Sequence, residues 1–137
     1  MVNSPTKIVM INGCYDILHP GHVQLIKYAA SLGDYLIAAL DTDDRVRTNK
    51  SPDRPINSLA DRMFMISSIK GVDEVVSFCS EENLRNIMKI YNPEILVIGE
   101  EYKDKHIIGE DLVKEVKFFR RINEYSTTNT IKSIINR

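Results

Sequence analysis

Short apolar runs rich in β-branched residues alternate along this chain with longer stretches of helical period, and this alternation constrains the fold more than any other feature. Lys7 to Ile11, Tyr35 to Leu40, Glu74 to Phe78, Ile95 to Ile98 and Val116 to Phe119 read as strands. Gly21 to Leu32, Ser58 to Ile69 and Glu81 to Tyr91 read as the helices between them, with a short helix near Asp111 to Lys114 and a last one from Thr127 to Asn136. Strands that follow one another through helices run parallel, and a parallel sheet needs cover on both faces. The expected fold is α/β, a Rossmann-like three-layer sandwich around a five-stranded parallel sheet. At 137 residues the chain has the length of one domain, 1–137. The longest polar interruption, Asp43 to Asn57, is expected to be a loop rather than a linker between domains.

Ligands in such sheets bind beyond the C-terminal ends of the strands, so the residues that follow each strand carry the functional information. After the first strand comes Gly13-Cys14-Tyr15-Asp16-Ile17-Leu18-His19-Pro20-Gly21-His22. Gly13 lets the backbone turn and a ligand approach closely. Pro20 suits the first helical turn, where its missing N–H has no partner to lose. His19 and His22 therefore stand at a helix N-terminus, a place that favours phosphate. Two other readings are a surface pair and a fragment of a metal site. Metal binding needs a third protein ligand, and the remaining histidine, His106, is distant in the sequence. Phosphate binding is the stronger reading.

The charge balance narrows the partners. Lys and Arg total 18 against 19 for Asp and Glu, so no general affinity for nucleic acid is expected. Two cysteines, no leader segment and no apolar run of spanning length predict a cytoplasmic protein that engages no membrane.

The other strand ends gather charge. Asp41 follows the second strand, ahead of Arg45, Arg47, Lys50 and Arg54, cations suited to closing over a polyphosphate; Lys50 is the leading candidate among them. A solvated charged loop is the competing reading. Arg62 lies in the first turns of a helix, either as a surface partner of Asp61 or as a cation over the strand ends. Asp16 and Asp41 are candidates for Mg²⁺ or for a substrate hydroxyl, and turn formation accounts equally well for Asp41. Glu100 and Glu101 either hold a ribose or are solvated. Ser126-Thr127-Thr128 forms a helix cap that doubles as a second anion site, with Arg121 as the matching charge.

The decapeptide from Gly13 to His22 resembles the G-x-F-D-x-x-H-x-G-H motif of the cytidylyltransferase-like nucleotidyltransferases, and Ser126-Thr127-Thr128 resembles their C-terminal S-T-T motif. Within that family the likeness is strongest to the adenylyltransferase domains that act on heptose 1-phosphate, through Lys50, Arg54-Pro55-Ile56-Asn57, Arg62-Met63 and Tyr102-Lys103. Glycerol 3-phosphate cytidylyltransferases come second, through Gly99-Glu100-Glu101-Tyr102. Tyr15 stands where the family has Phe, and Ile98 where the heptose group has Lys.

The resemblance implies transfer of a nucleotidyl group from an NTP to a sugar phosphate or polyol phosphate, with Mg²⁺ and a homodimer. ATP is the favoured donor and CTP the second. It implies that His19, His22, Lys50 and Arg62 act on the phosphates. Gly13, Cys14, Tyr15, Glu100, Arg121, Ser126, Thr127 and Thr128 would hold the nucleotide, while Asp16 and Asp41 would face the acceptor, or Asp16 the metal. A nucleotide-binding regulatory protein without turnover is the non-enzymatic alternative.

Overall fold

A computed structural model of the chain describes residues 6–120 and 127–136. Five strands, β1 (Ile8–Gly13), β2 (Tyr35–Asp41), β3 (Glu74–Phe78), β4 (Ile95–Gly99) and β5 (Glu115–Phe119), pair in parallel in the order β3-β2-β1-β4-β5. Helices α1 (Pro20–Ser31), α2 (Asp43–Asn49), α3 (Leu59–Ser67), α4 (Glu81–Tyr91) and α5 (Thr127–Ile135) accompany them, with single 3-10 turns at Glu100–Tyr102 and Glu110–Leu112. Among the described residues no helix is long and apolar enough to cross a membrane.

The period of two along each strand divides the core into two layers. Val9, Ile11, Leu36, Ala38, Leu40, Ile95 and Val97 pack on one side, against Ile26 and Ala29 of α1 and Ile66 of α3. Met10, Ile37, Ala39 and Leu96 pack on the other, against Leu84 and Met88 of α4 and Ile107. Each fully buried aliphatic side chain contributes roughly 1.5–3 kcal/mol, more than the ~1 kcal/mol span of strand propensities, so packing on both faces decides the structure. This is the expected three-layer sandwich.

Register then aligns the strand ends. Gly13 of β1 pairs with Leu40, Asp41 of β2 with Phe78, and Gly99 of β4 with Phe119, so the loops after β1, β2 and β4 open on one edge. At the opposite edge Gly33 ends the α1 turn beneath β1. A Cβ there would stand 2.6 Å from the Lys7 carbonyl oxygen and 2.8 Å from Val9 Cγ2, so only glycine admits the close return into β2.

Two expectations are corrected. The interval from Asp43 to Asn57 is not all loop, because residues 43–49 form α2. Val46 is its buried residue, so the apolar period that marks the other helices is too sparse to read. Asp43 and Asp44 in its first turn and Arg47 in its last complement the helix dipole. The short helix expected at Asp111 to Lys114 is instead the 3-10 turn Glu110–Leu112.

Glu74, at the start of β3, accepts hydrogen bonds from Tyr35 Oη at 2.7 Å and from Tyr91 Oη. Hydrogen bonding to Tyr91 and Tyr35 lowers the Glu74 carboxyl below its usual range, and the bond to Glu74 pushes the Tyr35 hydroxyl up from 10.0 to about 12. A raised phenol stabilises the fold fully below its unfolded value and loses that contribution as pH climbs toward about 12. The lowered carboxylate contributes above its unfolded value of 4.5 and loses the contribution as pH falls through its folded value. Glu74→Gln should therefore flatten both limbs of the stability curve. Denaturant unfolding across pH measures this, and limbs as steep as in the unaltered protein would refute it.

Candidate active site

The β1–α1 junction is held by its own histidines. His19 is the N-cap of α1, and its Nδ1 accepts from the Gly21 N–H at 3.1 Å. His22 Nδ1 in turn accepts from the His19 N–H at 3.1 Å, closing a reciprocal capping box. The rings stack with centroids 3.8 Å apart. Because each Nδ1 is an acceptor, the proton of each neutral imidazole sits on Nε2, and both rings are N–H donors through that atom. Here the helix cap sets the tautomer.

Tyr15 precedes them with φ +51, a left-handed conformation rare for a non-glycine residue. Such strain persists where surroundings fix it, often at functional sites. Its ring lies 5.4 Å from the His22 ring and covers Gly13, where a Cβ would sit 3.1 Å from Tyr15 Cε2.

Beside this junction runs a cleft of about 480 Å³. Its floor is Gly13, Cys14, Tyr15 and Asp16, with His22 and Leu25 of α1. The wall after β2 and β3 carries Asp41, Arg45, Lys50, Arg54 and Phe78. The wall after β4 carries Ile98, Gly99, Glu101, Tyr102, His106, Ile107 and Ile108. One wall is cationic and the other mostly apolar. His19 faces a neighbouring groove with Leu18, Pro20, Val23, Gln24 and Lys27, so the cleft receives His22 directly and His19 stands stacked behind it.

Several expected site residues serve the architecture instead. Arg62 is 1% exposed and lies beneath the cleft. Its Nε donates to the Asn57 carbonyl at 3.1 Å, its Nη1 to the carbonyls of Cys14 at 3.0 Å and Asp41 at 2.8 Å, and its Nη2 to Asp43 Oδ1 at 2.7 Å. Four donors so engaged tie the loop after β1, the end of β2, α2 and Asn57 together, and a phosphate ligand would have to break that set. This corrects the expectation that Arg62 grips phosphate.

Asp16 is corrected likewise. Its carboxylate accepts the Ile56 N–H at 2.7 Å and the Asn57 N–H at 2.8 Å, while Asn57 Nδ2 donates to the Asp16 carbonyl at 3.0 Å. A side chain with no exposed surface and both oxygens occupied does not fit a metal or acceptor ligand. Asp41 accepts from Arg45 Nε at 2.7 Å, and Arg45 also lies 5.2 Å over the Phe78 ring. Among the described residues no group of three or more His, Cys, Asp or Glu is placed to hold a metal ion.

Of the remaining candidates, Lys50 is exposed and lines the cleft. Cys14 lines it from below, and burial pushes its thiol up, against the opposing charges of Lys50 and Arg62. Glu100 faces Arg120, with Oε2 3.9 Å from Arg120 Nε, while Glu101 is the acid on the cleft wall. Thr127 begins α5 and Thr128 reaches the cleft. Arg121 and Ser126 lie outside the described residues. His106, set aside in the sequence as remote, stands on the apolar wall with Nε2 3.1 Å from Glu81 Oε2. No spacing rule signals that position, because a loop delivers it.

Residues 10–135 match the Cytidylyltransferase-like family. The chain is 43% identical over 132 residues to "Bifunctional protein HldE" of Aliarcobacter butzleri, covering 96% of this chain and 28% of that protein. It is 46% identical to the protein of the same name from Histophilus somni, covering 93% of this chain and 28% of that one. The chain thus spans little more than a quarter of these relatives' length. Among solved structures, the lipopolysaccharide core biosynthesis protein from Thermoplasma volcanium superposes with a TM-score of 0.67 at 28% identity, covering 89% of this chain and all of that one. A pantoate-beta-alanine ligase from Francisella tularensis shares the fold at a TM-score of 0.66 and 18% identity, over 92% of this chain and 65% of that one. With the family matched across nearly the whole length and the histidine junction at the edge of a parallel sheet, this chain belongs to the cytidylyltransferase-like family of nucleotidyltransferases.

Proposed function

We propose that the chain transfers a nucleotidyl group from an NTP, ATP first and CTP second, to a sugar phosphate such as heptose 1-phosphate, and releases pyrophosphate. The observation that carries this reading is the reciprocal cap, which fixes His22 as a neutral Nε2–H donor at the N-terminus of α1 on the cleft wall. An oxygen of the acceptor phosphate attacks the α-phosphorus, the bond from that phosphorus to the bridging oxygen breaks, and pyrophosphate carries the electron pair away. Positioning and charge neutralisation suffice for such a transfer, so no covalent nucleophile of the protein takes part. His22 and Lys50 supply donors and charge, backed by the dipole of α1. Mg²⁺ is expected to arrive bound to the triphosphate as part of the substrate, since the carboxylates of Asp16 and Asp41 are already engaged. The free thiols of Cys14 and Cys79 suit the cytoplasm.

The test is a matrix of ATP, CTP, GTP and UTP against heptose 1-phosphate, glycerol 3-phosphate and other sugar phosphates, scored by pyrophosphate release. Release that requires ATP and heptose 1-phosphate together is the expected result. Release confined to CTP with glycerol 3-phosphate would replace the proposed substrates. Nucleotide binding without release for any pair would overturn the enzymatic reading in favour of a regulatory protein.

A further inference from the structure

The cations around the cleft divide into engaged and available. Arg45 is held by Asp41, and Arg62 by its four acceptors. Arg54 differs from both. It lines the cleft with a side chain only 12% exposed, and its Nε stands 3.8 Å from Asp16 Oδ2, beyond hydrogen-bond reach. That carboxylate is already occupied by two backbone N–H groups. Arg54 Nη1 approaches Thr128 Oγ1 at 3.4 Å, a long contact, and among the described residues Nε and Nη2 meet no hydrogen-bond acceptor. Burying guanidinium donors without acceptors is costly, and an anion drawn into the cleft relieves that cost.

We infer that Arg54 is a phosphate ligand for the distal, pyrophosphate end of the nucleotide, an inference that rests on the transfer reaction proposed above. Its neighbour Thr128 lies in the first turn of α5, so the guanidinium sits beside a helix N-terminus, where backbone N–H groups and the dipole attract anions. The segment that carries it is clamped to the β1–α1 loop through Asp16, which sets the guanidinium in place before any ligand arrives. Charge gathers on the leaving oxygens as the bond to the α-phosphorus breaks, and a planar fork matches them in two hydrogen bonds. Arg54 thereby stabilises the departing group, while His22 and Lys50 act nearer the site of attack.

The phosphate of the acceptor offers the same oxygen chemistry, so the experiment separates the two. Calorimetric titrations of inorganic pyrophosphate and, separately, of heptose 1-phosphate are run on the unaltered protein, Arg54→Gln and Arg54→Lys. Arg54→Gln should weaken pyrophosphate binding about 10-fold or more, the loss expected for a charge-assisted pair, and leave heptose 1-phosphate binding unchanged. Arg54→Lys, which keeps the charge without the fork, should fall in between, and it carries the test if the glutamine variant fails to fold. Unchanged pyrophosphate affinity, equal losses for both ligands, a loss confined to heptose 1-phosphate, or no pyrophosphate binding by the unaltered protein would each overturn the assignment. Neither titration requires turnover, so a transfer reaction absent from the substrate matrix leaves this result readable on its own.

Discussion

His22→Ala is expected to lower turnover by about 100-fold or more while leaving the sheet intact, the loss seen when one preorganised donor is removed from a developing charge. The chemistry and the cap share atoms here, because His22 Nδ1 accepts from the His19 N–H and His19 Nδ1 accepts from the Gly21 N–H. His19→Ala should therefore combine a loss of rate with a loss of about 1 kcal/mol of stability, the usual cost of deleting an N-cap. His19→Asn separates the two effects. Asparagine caps a helix well and keeps the backbone N–H that His22 Nδ1 accepts, so this variant should recover the stability and most of the rate, leaving lost only the share that the stacked His19 ring contributes. Steady-state turnover beside thermal unfolding checks all three variants. Near-normal turnover in both alanine variants would sink the mechanism.

Arg62→Ala should cost about 3–5 kcal/mol of folding stability, the range for removing one partner from a buried charged set. The carbonyls of Asn57, Cys14 and Asp41 and the carboxylate of Asp43 would all lose their donor together. Arg62→Lys should recover only part of this, since an ammonium cannot span acceptors arranged around a planar fork. Urea unfolding gives the number. A change below about 1 kcal/mol, within the range of ordinary surface substitutions, would show that Arg62 is not the tie described above.

The two sets of variants mark where the sequence was legible. The strands were readable because each is a compact apolar run, and α1, α3 and α4 because their apolar residues recur at helical spacing. α2 was hidden, since among its seven residues Val46 is the one that is buried. Arg62 was misread for a different reason. Its acceptors are mostly backbone carbonyls at strand ends, and a list of side chains says nothing about where those carbonyls point. Asp16 finds its donors some forty residues later in the chain, at Ile56 and Asn57, a pairing no local pattern contains. Glu100, expected beside the nucleotide, faces Arg120 while Glu101 lines the cleft, because a 3-10 turn sends successive residues in different directions. The resemblance located the junction and named the family, whereas burial decided which charges remained available to a ligand.

The strand order β3-β2-β1-β4-β5 places the histidine junction between two neighbours that are built independently. The cationic wall grows from the connection after β2 and the apolar wall from the connection after β4, and β1 lies between those two strands. For engineering, this makes the walls separate cassettes. Residues 42–57 can be exchanged to re-shape one side of the cleft while 99–112 and the junction stay as they are. The boundary of such a graft is set by Asp16 and Arg62, whose hydrogen bonds any incoming segment must accept.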